Sequence, residues 1–531
     1  MIATLQIFFL LLAVLVVVAV AARRLDVAPS ILLVIAGIGL ALIPGLPSVE
    51  LAPELVLLVI LPPLIYSAGV AMSWREFRFN LRPIFLLAFG CVVFTTCAVA
   101  AAAHYFIGLP WAVGFLLGAI VAPPDVVAPL AVARKLRLPR RLLLVLEGEG
   151  LANDATALIL YRFAVVAVST GLFSLGEAAG TFSAIVVGEI AWGVVVGWFS
   201  LGVRRWARDP RVEITLSLMT PYLAYWVPEH FGGSGVLATV AAGLYVSWKG
   251  PLLIPSATRL QGIFFWDLII YLIEGFIFLI VGLQARTLLG RIEAYSVSDL
   301  LTAVALTTVI VVLARFVWVY PAVYLPRWLS PSLRKRDPAP PWQWAFLLSF
   351  VGIRGVVSLA AALAIPFLTT GGQVFPYRDL ILFVTLGVIV VTLVAQGLML
   401  PKVIHWLGLA KDANIERSNE HEAELAARRD AIEAGRKRLE ELLAGQEFPD
   451  EVVKLLRARH DHRTRQLVSD ELREMVGEVK LELLQVEREF LFDLLREGRI
   501  TDEARRRLER ELDLEEAVVI SRRGEGSPLP L

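Results

Sequence analysis

Six consecutive residues, Glu149-Gly150-Leu151-Ala152-Asn153-Asp154, put two carboxyl groups and an amide inside an apolar run from about Leu142 to Thr170. Such a run exceeds the roughly 20 residues that carry a helix across a bilayer. A carboxylate at the centre of a membrane helix costs about 2.5–3.5 kcal/mol by insertion. It persists there for a function or with a partner. On a helix, Glu149 and Asn153 are four apart and share a face. Asp154 points about 140° further round than Glu149. The two acids therefore meet different neighbours: one is expected in a structural ion pair, the other at an ion site. Asp154 is the candidate for the ion site. A carboxylate in a membrane cavity holds either a proton or a small hard cation such as Na⁺, and competition between the two for one oxygen site yields exchange. Glu149 and Arg354 are the expected buried ion pair, because either charge alone is costly. Asn153 can donate and accept. It either holds a neighbouring broken helix or is an amide facing an adjacent span.

A third acid, Asp125, lies in GAIVAPPDVVAP. Pro123 and Pro124 lack N–H groups and disfavour helical geometry in the residue before each. A break is expected near Ala122, with a second half-helix that starts on proline. Asp125 would fall in its first turn, where it either offsets exposed helix ends or binds the ion. A second break is expected in SFVGIRGVVSLAAALAIP, where Gly352 and Gly355 flank Arg354. Glu274, in YLIEGFIFLIVGLQ, either tunes the site or pairs with Arg315 of the following span. Asp267 lies nearer a span edge and reads as interfacial.

The elements that must position these groups are legible in the composition. Of 531 residues, 57% are hydrophobic, and the mean hydropathy is +0.69. The charge is uneven: residues 1–410 are apolar runs with short charged breaks, and residues 411–531 are mostly charged. The fold class is therefore all-α: a polytopic membrane domain followed by a helical tail. Candidate spans fall near residues 2–22, 28–46, 52–71, 83–107, 111–133, 142–170, 181–203, 212–228, 234–248, 262–284, 299–323, 343–368 and 380–406, thirteen in all. The eighth holds Pro221 and the ninth is short. The first is read as a span and not as a signal peptide, since Arg23 and Arg24 follow it and no basic residue precedes it.

Basic residues favour one set of loops, including Arg23, Arg24, Arg140 and Arg141, and only Arg286, Arg291 and Arg378 fall in the other. The positive-inside rule then puts the N-terminus outside and the tail in the cytoplasm. The two broken spans are the fifth and twelfth. An odd offset means opposite orientation, the layout of transporters with inverted repeats whose ion sites lie where broken helices meet. The tail is expected to be helical over 415–443, 450–497 and from Thr501 to about Val519. Leu455, Leu456, Leu467, Leu472, Val476, Leu481, Leu484 and Val486 form a rough apolar stripe there, suited to a regulatory domain or to a packing and dimer-stabilising module.

LPPLIYSAG, APPD, EGEGLANDATALILYRF, FFWDLIIYLIEGFIFLIVGLQ and RGVVSLAAALAIP together resemble the monovalent cation/proton antiporter family of NhaP-type and NHE-type sodium/proton exchangers. The resemblance covers about residues 5–410, and the tail resembles that of bacterial members. It implies thirteen helices, a core domain rocking against a dimerisation domain, and a homodimer. It assigns ion binding to Asp154, electroneutral exchange to the Asn153-Asp154 pair, a stabilising pair to Glu149 and Arg354, and the unwound-helix aspartate to Asp125. Three positions depart from the family pattern. Gly150 stands where many members have serine, Ser67 where many have an acid, and Pro124 where threonine is frequent. Ser67 is kept as a candidate for the cation site.

Three further classes compete. One is a K⁺/H⁺ or Li⁺-tolerant exchanger, which Gly150 and Ser67 make credible. Another is a transport-inactive sensor acting through its tail. The third, an intramembrane enzyme, finds no support: none of the six histidines lies in a metal or dyad motif. No P-loop appears, which argues against a primary pump. No cofactor and no nucleic-acid partner is expected; the expected partners are the cation, the proton, the plasma-membrane bilayer and a second copy of the chain.

Overall fold

In the computed structural model, residues 2–25, 27–44, 52–136, 138–171, 174–207, 209–289, 295–445, 449–465, 470–497, 499 and 502–523 are described. They are helical throughout, apart from loops and one isolated bridge between Leu368 and Val374. The chain divides into two compact units, Met1–Ala413 and Asn414–Leu531.

In the first unit, α1 is Ile2–Leu25 and α2 is Pro29–Ala41. Helix α3 is Pro53–Ala71, α4 is Trp74–Phe79 and α5 is Leu81–Ile107. The fifth expected span is two helices, α6 (Trp111–Val121) and α7 (Val127–Lys135). Then come α8 (Arg140–Thr170), α9 (Leu175–Ala207), α10 (Pro210–His230) and α11 (Val236–Leu253). They are followed by α12 (Ser256–Leu289), α13 (Val297–Leu329) and the short α14 (Pro331–Arg336). The twelfth expected span is also two helices, α15 (Trp342–Phe350) and α16 (Val356–Leu363), and α17 is Arg378–Leu407. Nine of the described helices are long and apolar enough to cross a membrane: α1, α3, α5, α8, α9, α11, α12, α13 and α17. Helix α10, the weak eighth span, runs unbroken through Pro221 and Pro228 but is not among the nine.

Backbone groups freed by proline are satisfied by neighbours, as they must be where water is excluded. Pro62 and Pro63 cannot donate to the carbonyls of Leu58 and Val59, four residues back. Those carbonyls accept instead from Trp226 Nε1 (2.9 Å) and Tyr222 Oη (3.0 Å) of α10. Helices α2 and α12 approach backbone to backbone. A Cβ on Gly282 would lie 2.8 Å from Gly37 Cα, so two glycines set this contact.

Helix α18 is Leu409–Gly445, with Asn414 onward in the second unit, where α19 is Asp450–Arg465, α20 is Asp470–Arg496 and α21 is Asp502–Arg523. The helix expected over 450–497 is described as α19 and α20, with residues 466–469, Gly498 and Thr501 outside the described residues. Of the expected stripe, Leu484 is buried, whereas Leu455 and Val486 are exposed. Helix α20 packs on α21, where Arg488 Nη2 meets Asp513 (2.7 Å) and Glu516 (2.6 Å).

Candidate functional site

Two unwound stretches, Ala122–Val126 and Val351–Gly355, separate the halves of the broken spans. They cross, and the backbone N–H of Asp125 donates to Ile353 O at 2.7 Å. Four helix ends meet here, and each needs a partner. Arg354 serves the carbonyl ends. Its Nε donates to Val121 O (2.8 Å), its Nη2 to Ala122 O (3.2 Å) and its Nη1 to Gly352 O. Asp125 serves an amide end, where Oδ1 accepts from Val127 N at 2.9 Å. A carboxylate at a helix N-terminus and a guanidinium at a C-terminus are the favourable placements on the helix dipole. The half-helix α7 begins at Val127, not at the prolines, so Asp125 precedes its first turn. Gly355 lets the two stretches close, since a Cβ there would sit 2.5 Å from Asp125 Cγ.

Each crossing stretch is held by the next span of its own half. Asn153 Nδ2 on α8 donates to Pro124 O at 2.7 Å. On α17, Thr392 Oγ1 accepts from Arg354 N at 3.0 Å and donates to Val388 O at 2.8 Å. The seven-span offset seen in the sequence thus recurs as matched support. Thr392 was missed by the sequence reading, although the offset itself directs attention to a polar residue in the thirteenth span.

Arg354 does not pair with Glu149. The carboxylate of Glu149 is held by Arg315 of α13, Nη1 to Oε1 at 2.5 Å and Nη2 to Oε2 at 2.7 Å. Both side chains are sealed, at 0% and 1% exposure. Arg315 Nε completes its contacts on Leu348 O at 2.8 Å. The expected Glu149–Arg354 pair is corrected because the broken helices present bare carbonyls that claim Arg354. The option of a Glu274–Arg315 pair falls for the same reason: Arg315 is already occupied.

Asp154 opens on a cavity of about 180 Å³. Asp125, Glu274 and Ser358 line it too, and Arg134 and Glu147 sit at its wall in an ion pair of 2.7 Å. Much of the remaining wall is apolar, including Leu64, Ala68 and Phe278. Asn153 is fully buried and is not among the lining residues. Its Nδ2 holds Pro124 O, and its buried Oδ1 has no hydrogen-bond partner among the described residues. Ser67 is not among the lining residues either. Its hydroxyl donates to Leu64 O at 2.9 Å, and the wall is lined by Leu64, Ile65 and Ala68 around it. Gly150 does line the cavity, and a Cβ there would lie 2.9 Å from Val126 Cγ1. A serine at 150 would have to displace Val126.

A further ion pair, Arg162 Nη2 to Glu229 Oε1, ties α8 to α10. Sequence reading overlooked it, because Arg162 stands near the end of an apolar run and Glu229 next to a proline. Among the described residues no group of three or more His, Cys, Asp or Glu could hold a resident metal ion.

The family model for the sodium/hydrogen exchanger transmembrane domain matches residues 10–406. A Na⁺/H⁺ exchanger of Mycobacterium tuberculosis, described as uncharacterised, is 34% identical over 527 residues, covering 96% of this chain and 95% of that one. A sodium, potassium, lithium and rubidium/H⁺ antiporter of Bacillus pumilus is 33% identical over 377 residues, 69% of this chain and 56% of its own length. In fold, the chain is similar to the solved sodium/proton antiporter of Methanocaldococcus jannaschii, with a TM-score of 0.59 at 18% identity over 77% of this chain and 99% of the other.

Proposed function

The chain belongs to the sodium/hydrogen exchanger family, and we propose that it exchanges Na⁺ for H⁺ at Asp154, one cation for one proton. The observation that carries this reading is the placement of Asp154. It is a carboxylate opening on a cavity in a membrane domain, beside the crossing of two broken helices, with Asp125 on the same wall. Protonated, Asp154 is neutral and crosses without a cation. Ionised, it needs one. An oxygen site that is never left charged and empty during the movement couples the two flows. Asp125 adds a carboxylate while anchored to Val127, and Glu274 faces the same cavity from α12. The Asn153-Asp154 pair resembles that of electroneutral members of the family, which supports one-for-one exchange.

Membership of the family, one of transporters and not enzymes, sets this multi-pass membrane protein among secondary transporters. Thirteen crossings, an external N-terminus, a cytoplasmic tail from about residue 411, the plasma membrane as location, a homodimer and a role in pH and sodium homeostasis belong to the same proposal. The basic-loop asymmetry supports the orientation and the inverted pattern of breaks supports the crossings. K⁺ or Li⁺ as a further substrate is favoured by one observation. The Bacillus pumilus relative, 33% identical, is a sodium, potassium, lithium and rubidium/H⁺ antiporter.

The test is cation-induced dequenching of a pH dye in proteoliposomes, scanning Na⁺, Li⁺ and K⁺, with Asp154→Asn alongside. Na⁺ or Li⁺ should dissipate the proton gradient in the wild type and not in the variant. Dissipation by K⁺ alone would replace the substrate and keep the site. No response to any cation in folded protein would end the transport reading at this site.

A further inference from the structure

A second polar centre lies apart from the ion cavity, where α5 and α8 begin and α13 ends. Three arginines gather on one carboxylate there. Arg82 Nη2 reaches Asp337 Oδ2 at 2.7 Å, Arg141 Nη2 reaches Oδ1 at 2.8 Å and Arg327 Nη2 reaches Oδ2 at 2.9 Å. Asn80 Oδ1 takes Arg141 Nε at 3.2 Å, and the backbone oxygen of Asp337 takes Arg327 Nε at 3.1 Å. Three guanidinium groups against one carboxylate leave an excess of positive charge. Beside them is a crevice of about 40 Å³, lined by Arg82, Arg141, Arg327 and Trp344 at its polar side and by residues such as Leu86, Leu142 and Leu348 elsewhere.

Two buried donors at this crevice have no hydrogen-bond partner among the described residues: Arg82 Nη1 and Trp344 Nε1. Among the described residues no orphaned side-chain acceptor lines it. Buried polar groups left unpaired are costly, so the site calls for an acceptor. A water would accept from both donors but would bring two hydrogens of its own. A phosphate oxygen accepts without donating, and its charge answers the arginines. About 10–15 Å³ of such space holds one water, so the crevice has room for a phosphate oxygen. The apolar remainder of the wall, at the level where apolar helices end in basic loops, suits a lipid and offers nothing to a free anion.

We propose that this crevice binds the phosphate of an anionic phospholipid, with Arg82 and Trp344 donating to a non-bridging oxygen. The site braces three helices of the membrane domain at the side marked by the basic loops. Its occupancy is independent of which cation is exchanged.

The test uses the full chain in detergent, with thermal unfolding followed as dioleoylphosphatidylglycerol, dioleoylphosphatidylcholine or inorganic phosphate is added. Phosphatidylglycerol should raise the midpoint, and the other two should not. The half-saturating lipid concentration should rise about tenfold or more in Arg82→Gln and in Trp344→Phe, the scale of losing a hydrogen bond to a charged group. The exposed neighbour variant Arg336→Gln should leave it unchanged. If Arg82→Gln does not fold, Trp344→Phe decides, since it removes one N–H and keeps an aromatic ring. An equal response to inorganic phosphate overturns the lipid as the source. An equal loss in Arg336→Gln reduces the effect to diffuse surface charge. No lipid response, or one that Trp344→Phe does not weaken, assigns the crevice to water only.

Discussion

Removing the guanidinium of Arg315 should cost the membrane domain more than removing any exposed ion pair. The side chain donates to both oxygens of Glu149, at 2.5 and 2.7 Å, with the acid at 0% and the base at 1% exposure. No water reaches either group, so Arg315→Met leaves a sealed carboxylate without its counter-ion, as well as an unpaired Leu348 carbonyl. Breaking a buried pair by removing one partner costs about 3–5 kcal/mol, whereas replacing both by apolar residues of similar volume is often near neutral. Glu149→Leu and Arg315→Met should therefore each lose about 3–5 kcal/mol. The double variant should lose less than the sum by at least about 3 kcal/mol. Unfolding by SDS titration in mixed micelles reads all four states of the cycle. A parallel cycle with Arg354→Met should show the smaller coupling to Glu149, because Arg354 spends its donors on Val121, Ala122 and Gly352 carbonyls. The reasoning fails if Arg315→Met costs under about 1 kcal/mol, the scale of an exposed pair, or if Glu149 couples more strongly to Arg354 than to Arg315.

Two other outcomes follow from the site and its surroundings. Gly355→Ala should abolish exchange in the dye assay while the protein still reaches the membrane, since its Cβ would meet the Asp125 carboxyl at 2.5 Å or closer; full activity would show that the crossing stretches are not closely packed. Burial alone would push the Asp337 carboxyl up, yet the Arg141, Arg327 and Arg82 guanidinium groups hold it below its ordinary value. A depressed folded value means stability that is present at neutral pH and lost as pH falls below about 4, the ordinary carboxylate range. Thermal melts of Asp337→Asn should thus lie below wild type at neutral pH and converge with it on acidification; a gap that persists or widens in acid would refute the assignment.

The sequence by itself determined the class of the protein. Long apolar runs with basic breaks leave no soluble alternative, and backbone groups in a bilayer must be paired within a helix. Pro123 and Pro124 announced one break by removing two donors, and Gly352 and Gly355 announced the other. Asp154 was legible for the same kind of reason: a carboxylate in such a run demands an explanation wherever the helix lies. Partnership was not legible. Spacing on one helix says that Glu149 and Asp154 face apart, but not which arginine, 166 or 205 residues further on, each helix brings near. Only the tertiary structure decided it, by carrying the Arg354 guanidinium onto the bare carbonyls of α6 and leaving Glu149 to Arg315. The same holds for Ser67, whose hydroxyl turns back to Leu64 O, and for Asn153, whose amide reaches the Pro124 carbonyl. One-dimensional spacing fixes a direction on a helix; what lies in that direction depends on how the other helices pack.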